Sequence, residues 1–266
     1  MRFPLAAAFA LATLLSAASP GLASPLARGL EALEADRFEE AIGHFEEAFS
    51  GTEPDGGFYL GRMAELGIGV AADFEAARVL YLAAADRGSA RALNRLGLMH
   101  FRGEGVLQDH AAARDLICRA AEAGEADAQF NCAGLLAEGV GGETDREGAL
   151  ALYREAAQAE HIGALNALAF AYRAGEIEGG GVEEALAHFE RAAARGNPIA
   201  LFELGAAYEA GEGRDRDLVQ AHVHYNLASV RRHPAAPEAL ARVTAQLDRT
   251  ELARAQALAR DFVARD

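Results

Sequence analysis

Two cysteines and three histidines are the residues whose chemistry this sequence places at a defined spacing. Cys118 and Cys132 are the only cysteines in the 266 residues, and the midpoint between them falls beside Gly124. If Gly124 lies in a turn between two antiparallel helices, residues symmetric about that turn face each other, and a disulfide can join them. The alternative is two buried free thiols that act as small apolar residues. We favour the disulfide and keep the alternative.

The histidines raise the question of a metal site. His188 and His224 lie one repeat apart, with His222 two residues before His224. Residues two apart on a helix point about 200° away from each other, so His222 and His224 cannot share one ion. The spacing also supplies no third ligand. We therefore interpret these histidines as half-buried packing residues, and the sequence predicts no metal and no cofactor.

Signatures of catalysis are missing from the sequence. It has no Gly-x-Ser-x-Gly, no His-Glu-x-x-His, no phosphate-binding loop and no Cys-x-x-Cys. The glycine-rich stretches 139–142 and 179–181 lack the lysine and the preceding strand that a phosphate cradle needs. Paired acids such as Glu183 and Glu184 carry little information in a chain with 40 acidic residues. The sequence predicts a protein that is not an enzyme.

The elements that position these residues recur with a period of 36. A glycine, an alanine and a bulky residue keep this period through most of the chain; the glycines are Gly67, Gly103, Gly139, Gly175 and Gly211. A fixed period in this range is typical of a solenoid, in which each unit packs on its neighbours. Apolar residues at helical spacing on both sides of the glycine predict helix A, a loop and helix B in each unit.

The residues at the helix ends agree with this interpretation. Gly103 stands where a left-handed residue would end helix A. An aspartate stands where helix B would begin in four of the five units, with Gly181 in the remaining one, and its carboxylate can cap the first turn. The four aspartates are Asp73, Asp109, Asp145 and Asp217.

The repeat resembles the Sel-one-like repeat, a relative of the tetratricopeptide repeat. The pattern Leu-Gly-x-x-(Tyr)-x-x-Gly-x-Gly-Val followed by Asp-x-x-x-Ala is matched best by 96–113 and 204–221. The Leu-Gly pair lies 16 residues before the alanine, against about 12 in the tetratricopeptide repeat. The third and fourth units depart from the pattern, with Cys132-Ala133 and Leu168-Ala169 in place of Leu-Gly. The resemblance implies an all-α, right-handed superhelical solenoid of antiparallel helix pairs, with the A helices on its concave side. In the cysteine-rich branch of the family, bridges cross the same hairpin one turn nearer to Gly124.

These patterns divide the chain into four parts. We predict a signal peptide at 1–23, a tetratricopeptide-type capping hairpin at 24–57, five repeats at 58–232 and a C-terminal capping helix at 233–266. Arg2 and the apolar run 5–15 are typical of a secretory signal with cleavage after Ala23, and an uncleaved anchor is the alternative. The prediction is therefore a periplasmic or secreted protein that does not insert into a membrane after cleavage.

Charge narrows the choice of partner. All 25 basic residues are arginine, which indicates the codon bias of a GC-rich bacterial genome, and the formal net charge is −15. Such an acidic chain repels phosphate backbones and anionic lipids, so nucleic acid is not an expected partner. A basic partner is compatible with this charge, and solubility alone is the simpler explanation, which we favour.

Partner choice can reside in residues that change between repeats while the scaffold stays constant. Six such positions on the A helices are the candidates for partner binding, although the same residues can simply be solvated: Arg95, Arg102, Asn131, Glu138, Arg173 and Glu203.

The family resemblance implies an adaptor. We predict a non-catalytic scaffold that docks a peptide or protein of the cell envelope in its concave groove, in signalling or in the assembly of complexes. Two alternatives remain, an envelope hydrolase acting on cell-wall or β-lactam-like substrates and a structural spacer. The sequence does not define the oligomeric state.

Overall fold

The structure is a computed structural model, and it describes residues 23–262. The predicted signal segment up to residue 22 and the last four residues, 263–266, lie outside the described residues. The described part contains fourteen α-helices and no strand, so the prediction of an all-α helical repeat solenoid is confirmed. The helices are α1 (Pro25–Glu34), α2 (Phe38–Ser50), α3 (Asp55–Leu66), α4 (Phe74–Asp86), α5 (Ala90–Arg102), α6 (His110–Glu122), α7 (Ala126–Glu138), α8 (Arg146–Gln158), α9 (Ile162–Arg173), α10 (Val182–Ala194), α11 (Pro198–Ala210), α12 (Leu218–Val230), α13 (Ala236–Thr244) and α14 (Arg249–Arg260).

Each repeat consists of an A helix and a B helix that pack against each other and against the next unit. The A helices are α3, α5, α7, α9 and α11, and the B helices are the even-numbered helices from α4 to α12. No helix in residues 23–262 is long and apolar enough to cross a membrane.

Glycine ends four of the five A helices in the left-handed conformation, as predicted. These residues have φ between 67° and 74°, where a side chain would be strained: Gly67, Gly103, Gly139 and Gly211. In the fourth unit, α9 ends one residue earlier at a right-handed Ala174, and Gly175 keeps a φ of 72°. The loop that follows places Ile177 in the core. The altered loop sequence of this unit therefore changes the path of the chain locally.

The predicted aspartate caps are present at all four B helices. The Asp73 carboxylate accepts a hydrogen bond from the Ala76 N–H at 2.9 Å, and the Asp217 carboxylate accepts from Val219 and Gln220. At the remaining B helix, α10, which begins after Gly181, the Glu184 carboxylate accepts a hydrogen bond from the Gly181 N–H at 2.7 Å. Each cap satisfies N–H groups that the helix leaves free, which is typically worth about 1 kcal/mol.

The glycine of the Leu-Gly pair makes room for a bulky side chain of the following B helix. Tyr225, on α12, is buried against Gly205, on α11, and a Cβ at Gly205 would lie 2.7 Å from the Tyr225 ring. Gly61 meets Tyr81 and Gly97 meets Ile117 in the same way. This glycine is therefore required for close helix packing, whereas the glycine at the end of the A helix is required for its backbone conformation.

We expect Gly205→Ala to destabilise the protein by about 1–3 kcal/mol, because the added methyl group overpacks the contact with Tyr225. Gly43→Ala is the matched control, since a Cβ at this helical glycine meets nothing within 4 Å. Alanine is the better helix former, so the control should gain up to about 1 kcal/mol. Urea unfolding of both variants measures the difference, and equal effects would show that the close contact is unimportant.

A shorter hairpin precedes the repeats. Helices α1 and α2 are joined by residues 35–37, whereas α3 and α4 are joined by residues 67–73. Gly29 again faces a buried aromatic ring, that of Phe45. The hairpin thus repeats the packing of the later units with a connection four residues shorter.

The segment predicted as one C-terminal capping helix contains two helices, α13 and α14, and both pack on α12. The prediction of a single helix for 233–266 was wrong, because a helix cap at Asp248 lies within this segment. The Asp248 carboxylate accepts hydrogen bonds from the Thr250 and Glu251 N–H groups, and the Glu251 carboxylate accepts from the Asp248 N–H at 2.9 Å. This reciprocal pair starts α14, after α13 has ended at Thr244.

A disulfide links the second repeat to the third. It joins Cys118 on α6 to Cys132 on α7, with an S–S distance of 2.02 Å and 5.0 Å between the Cα atoms. The two residues lie on opposite sides of the turn at Gly124, in the antiparallel arrangement that the sequence suggested. Neither cysteine is a free thiol in this structure.

Candidate functional site

A groove runs along the A helices of the first two repeats and reaches the third. It has a volume of about 650 Å³ and lies between α3 and α5, with α7 at its edge. Apolar side chains from α3 and α5 form part of the lining, among them Phe58, Tyr59 and Leu98. Four arginines of these helices complete it: Arg62, Arg91, Arg95 and Arg102. Four carboxylates also line the groove, those of Glu65, Glu104, Glu125 and Asp127, so aromatic rings, guanidinium groups and carboxylates lie side by side.

A buried carboxylate organises the centre of the groove. The side chain of Glu65 accepts hydrogen bonds from Arg95 Nε at 2.9 Å, from Arg62 Nη1 at 3.0 Å and from the Tyr81 hydroxyl at 2.5 Å. Glu65 and Arg95 are each only 8% exposed. Arg95 also donates to Glu104 at 2.7 Å. The three helices α3, α4 and α5 are thus connected through one carboxylate.

This network sets the protonation states of its members. Burial raises the pKa of Glu65, but the hydrogen bonds from Arg95 and Tyr81 outweigh it and leave that pKa below its usual value. Burial and the neighbouring Glu65 raise the pKa of Tyr81 well above the usual value. At neutral pH, Glu65 is therefore a carboxylate and Tyr81 a neutral hydrogen-bond donor.

The groove contains more guanidinium groups than carboxylates at its centre. Arg62, Arg95 and Arg102 share two carboxylates, those of Glu65 and Glu104. The Arg102 side chain is 57% exposed, and its closest carboxylate contact is 3.4 Å long. Each guanidinium has five N–H donors, so this cluster can accept a further carboxylate from outside. We call Arg62, Arg95 and Arg102 the arginine cluster.

The six residues selected from the sequence are not all in one place. Arg95 and Arg102 line the groove, and the Asn131 amide donates to Asn94, another lining residue, at 3.1 Å. Arg173 and Glu203 pair with each other further along the chain, 2.5 Å apart.

Glu138 is exposed at the end of α7, and no ion pair to it is found within residues 23–262. Arg95 was expected to be a variable surface residue. It is buried instead, where Glu65 of α3 and Glu104 of the loop after α5 each supply a carboxylate to it.

Corresponding pairs of residues occupy the contact between successive A helices. Arg95, on α5, faces Glu65, on α3, and Glu203, on α11, faces Arg173, on α9, at the same positions of the repeat with the charges exchanged. We call this pair of positions the joint. Between the third and fourth repeats, both joint positions hold alanine, Ala137 on α7 and Ala167 on α9.

Sequence reasoning missed Glu65 and Tyr81. A signal for them existed: glutamate occurs at this repeat position only in the first and fifth units, and both units carry tyrosine 16 residues later. In the fifth unit, the Tyr225 hydroxyl donates to Glu209 at 2.8 Å, and Arg242 supplies the guanidinium. The recurrence of this pair indicates a specific contact, which the general rarity of buried charge concealed.

The histidines pack against aromatic rings. His188 stacks on Tyr172 and His224 lies against Tyr208, with ring centroids 5.5 and 5.3 Å apart. His222, two residues before His224 on α12, is buried and only 4% exposed. No group of three residues that could hold a metal ion is found in the part of the chain that the structure describes.

Stability should fall as the pH drops below about 6.5, because these histidines are buried in the neutral form. Burial lowers the pKa of His188, His222 and His224 below the unfolded value. The unfolded chain therefore binds protons first, and its free energy falls relative to the folded state. His222→Leu removes one such group and matches Leu186 at the same repeat position.

Melting temperatures at pH 7.5 and pH 5.0 measure this effect. The wild type should lose more stability between the two pH values than His222→Leu. Equal losses would show that protonation of His222 does not contribute.

Comparison with known proteins agrees with this architecture. A sequence profile of the Sel1 repeat matches five consecutive segments: 56–89, 90–125, 126–161, 162–197 and 198–229. A comparison with curated protein sequences found no significant match.

Solved structures share the fold. The crystal structure of a Sel1 repeat protein from Oxalobacter formigenes is 25% identical, with a TM-score of 0.70 over 88% of this chain and 97% of that one. A protective antigen of uropathogenic Escherichia coli with an SLR fold is 23% identical, with a TM-score of 0.66 over 88% of this chain and 54% of that one. This chain therefore matches only about half of the antigen. With its five consecutive matched repeats, the chain belongs to the Sel1 repeat family.

Proposed function

We propose that this protein is a non-catalytic interaction scaffold that docks an extended segment of a partner protein in the groove along α3, α5 and α7. Sel1 repeats generally mediate protein–protein interactions. The observation that carries the proposal is the groove itself, in which aromatic side chains adjoin the arginine cluster. Tyrosine and arginine are the residue types that most often dominate the energy of protein interfaces.

Charge favours an acidic group on the partner segment. Three guanidinium groups share two carboxylates at the centre of the groove, and the exposed Arg102 has the weakest contact among them. The arginine cluster therefore has one more guanidinium than carboxylate, although the complete lining has four arginines and four acidic residues, including Glu125 and Asp127 at the α7 edge. A carboxylate of the partner would complete this arrangement with charge-assisted hydrogen bonds.

Two titratable groups at the centre of the groove, Glu65 and Tyr81, support a binding role without chemistry, whereas burial raises the pKa of Glu125 at the edge. General acid and base catalysis at neutral pH needs a group whose pKa lies near 7. Here the pKa of Glu65 moves down and the pKa of Tyr81 moves up, so both move away from neutrality. Both side chains are engaged in contacts that hold helices together.

Site-specific crosslinking in cells tests the proposal. A photo-crosslinking amino acid replaces Arg102 in the groove or, as the control, Arg119 on α6. The Arg119 side chain is 56% exposed, and its one ion pair within residues 23–262 is with Asp115. We expect a discrete adduct from position 102 that Arg62→Glu abolishes, and none from position 119. The proposal fails if position 102 gives no adduct, or if both positions give the same one.

The cell envelope is the proposed location of this interaction. Two features support export, the signal-like start of the sequence and the disulfide between Cys118 and Cys132, because disulfides persist in oxidising compartments. We expect the protein from the periplasmic or secreted fraction to begin at Ser24 and to contain no alkylatable thiol. Intact-mass analysis that finds Met1 or two free thiols would contradict export.

A further inference from the structure

A second cavity lies at the joint between the third and fourth repeats. We call this joint, formed by Ala137 and Ala167, the third joint, and the one formed by Glu65 and Arg95 the first joint. The cavity has a volume of about 530 Å³ and lies between α7, α8 and α9. Its lining includes three alanines, Ala137, Ala167 and Ala174, and three larger residues, Leu150, Tyr153 and Phe170. This cavity occupies the same place in the repeat as the groove at the first joint, two repeats further along the chain.

The two sites differ because alanine replaces three charged residues. Ala137, Ala167 and Ala174 stand at the repeat positions of Glu65, Arg95 and Arg102. At the first joint, the carboxylate and guanidinium groups fill the space between successive A helices and bury Tyr81 completely. At the third joint, the short side chains leave that space open.

The floor of this cavity is formed by apolar side chains and one tyrosine, and two exposed charged residues, Arg146 and Glu176, complete the lining. Leu150 and Tyr153 are half-buried, and Phe170 is partly exposed beside them. Tyr153 corresponds to Tyr81, but no hydrogen-bond partner for its hydroxyl is found within residues 23–262. Burial, with a contribution from Glu138, raises the pKa of Tyr153, so its hydroxyl stays a donor at neutral pH.

We propose that this cavity anchors one aromatic or large aliphatic side chain of the partner segment whose acidic group binds the arginine cluster. The inference rests on the proposed function and specifies the partner. The volume of the cavity, about 530 Å³, lies within the roughly 300–1,000 Å³ of ordinary ligand pockets. Buried apolar anchors in such pockets typically supply much of the affinity of a peptide. The arginine cluster at the first joint selects an acidic residue, and the apolar floor at the third joint selects an apolar residue. The partner segment therefore carries one of each.

The geometry of the solenoid sets the distance between these two groups. Helices in contact have axes about 8–10 Å apart, and two such steps along the A helices separate the sites by roughly 20 Å. An extended chain advances about 3.3 Å per residue. The partner should therefore carry its apolar residue and its acidic residue about six positions apart.

The chain itself supplies the variant that closes the cavity. The double substitution Ala137→Glu/Ala167→Arg reproduces the Glu65–Arg95 pair beside a tyrosine, an arrangement that the first joint already holds. We therefore expect this variant to fold, which circular dichroism and a melting curve verify. The control is Ala151→Glu, an exposed position on the same helix as Leu150.

A random 12-residue phage library selected on the purified protein provides the probes. We expect the selected peptides to share an aromatic or large aliphatic residue with Asp or Glu about six positions away. Fluorescence anisotropy with the synthetic peptides should show at least tenfold weaker binding to the double variant and unchanged binding to Ala151→Glu.

The outcomes separate this inference from the proposed function. If Arg102→Glu weakens binding but the double variant does not, the apolar anchor is wrong and the scaffold function stands. If the selected peptides lack the predicted pattern, the anchor is wrong as well. If no peptide is enriched, or if neither variant changes the affinity, both proposals fail.

Discussion

Replacing Arg95 with alanine is expected to lower the free energy of unfolding by about 3 kcal/mol. The substitution leaves the buried carboxylate of Glu65 without its principal partner, and breaking one side of a buried ion pair typically costs about 3–5 kcal/mol. We expect the lower end, because Arg62 and Tyr81 still donate to Glu65. Urea unfolding followed by circular dichroism measures the change.

The double variant Glu65→Ala/Arg95→Ala controls for lost packing. It converts the first joint into the pair of alanines found at the third joint, and it leaves no charge buried without a partner. We therefore expect the double variant to be more stable than Arg95→Ala alone. Arg173→Ala should cost at most about 1 kcal/mol, because that pair is more exposed. Strictly additive effects of the two single substitutions would contradict the coupling.

Removing the disulfide is expected to cost about 3 kcal/mol. The bond between Cys118 and Cys132 closes a loop with a sequence separation of 14 residues, and loops of this size restrict the unfolded chain by about that amount. Alanine is the preferred replacement, because Cys132 is buried among apolar side chains and a serine would add an unpaired hydroxyl. The measurement is the urea midpoint of Cys118→Ala/Cys132→Ala.

A reducing agent provides the control for this substitution. Reduction should lower the midpoint of the wild type toward that of the double variant and leave the variant unchanged. Because the two cysteines connect α6 to α7, the loss should be greatest in hydrogen exchange of those two helices. A wild type that is insensitive to reduction would contradict a stabilising bond.

The repeat made the helices and their ends predictable from the sequence. Each end depends on a local requirement that one residue type meets, such as a left-handed φ at Gly103 or a free carboxylate at Asp109. Where a unit departs from the repeat pattern, the sequence showed that its structure would differ but not how. The changed residues of the fourth unit marked an altered loop, but the burial of Ile177 depends on contacts with other helices.

The site was less predictable, because it depends on which helices become neighbours. Arginine is usually a surface residue. Arg95 is buried because α3 and the loop after α5 pack around it and each supplies a carboxylate. Two residues in the chain carried the missing information. Glu65 and Tyr81 recur together as Glu209 and Tyr225, and a correlated pair across repeats indicates contact where a single residue does not.

The opposite arrangement of charges at the Glu65–Arg95 and Arg173–Glu203 joints also bears on the order in which the repeats pack together. Repeats of similar sequence can pack in the wrong order, because each A helix offers nearly the same apolar surface to any other. If α3 docked on α11, Glu65 would meet Glu203, and if α9 docked on α5, Arg173 would meet Arg95. Both errors place like charges against each other, and Glu65 and Arg95 lie in buried positions. The two charged joints therefore disfavour these two mispairings of the repeats during folding.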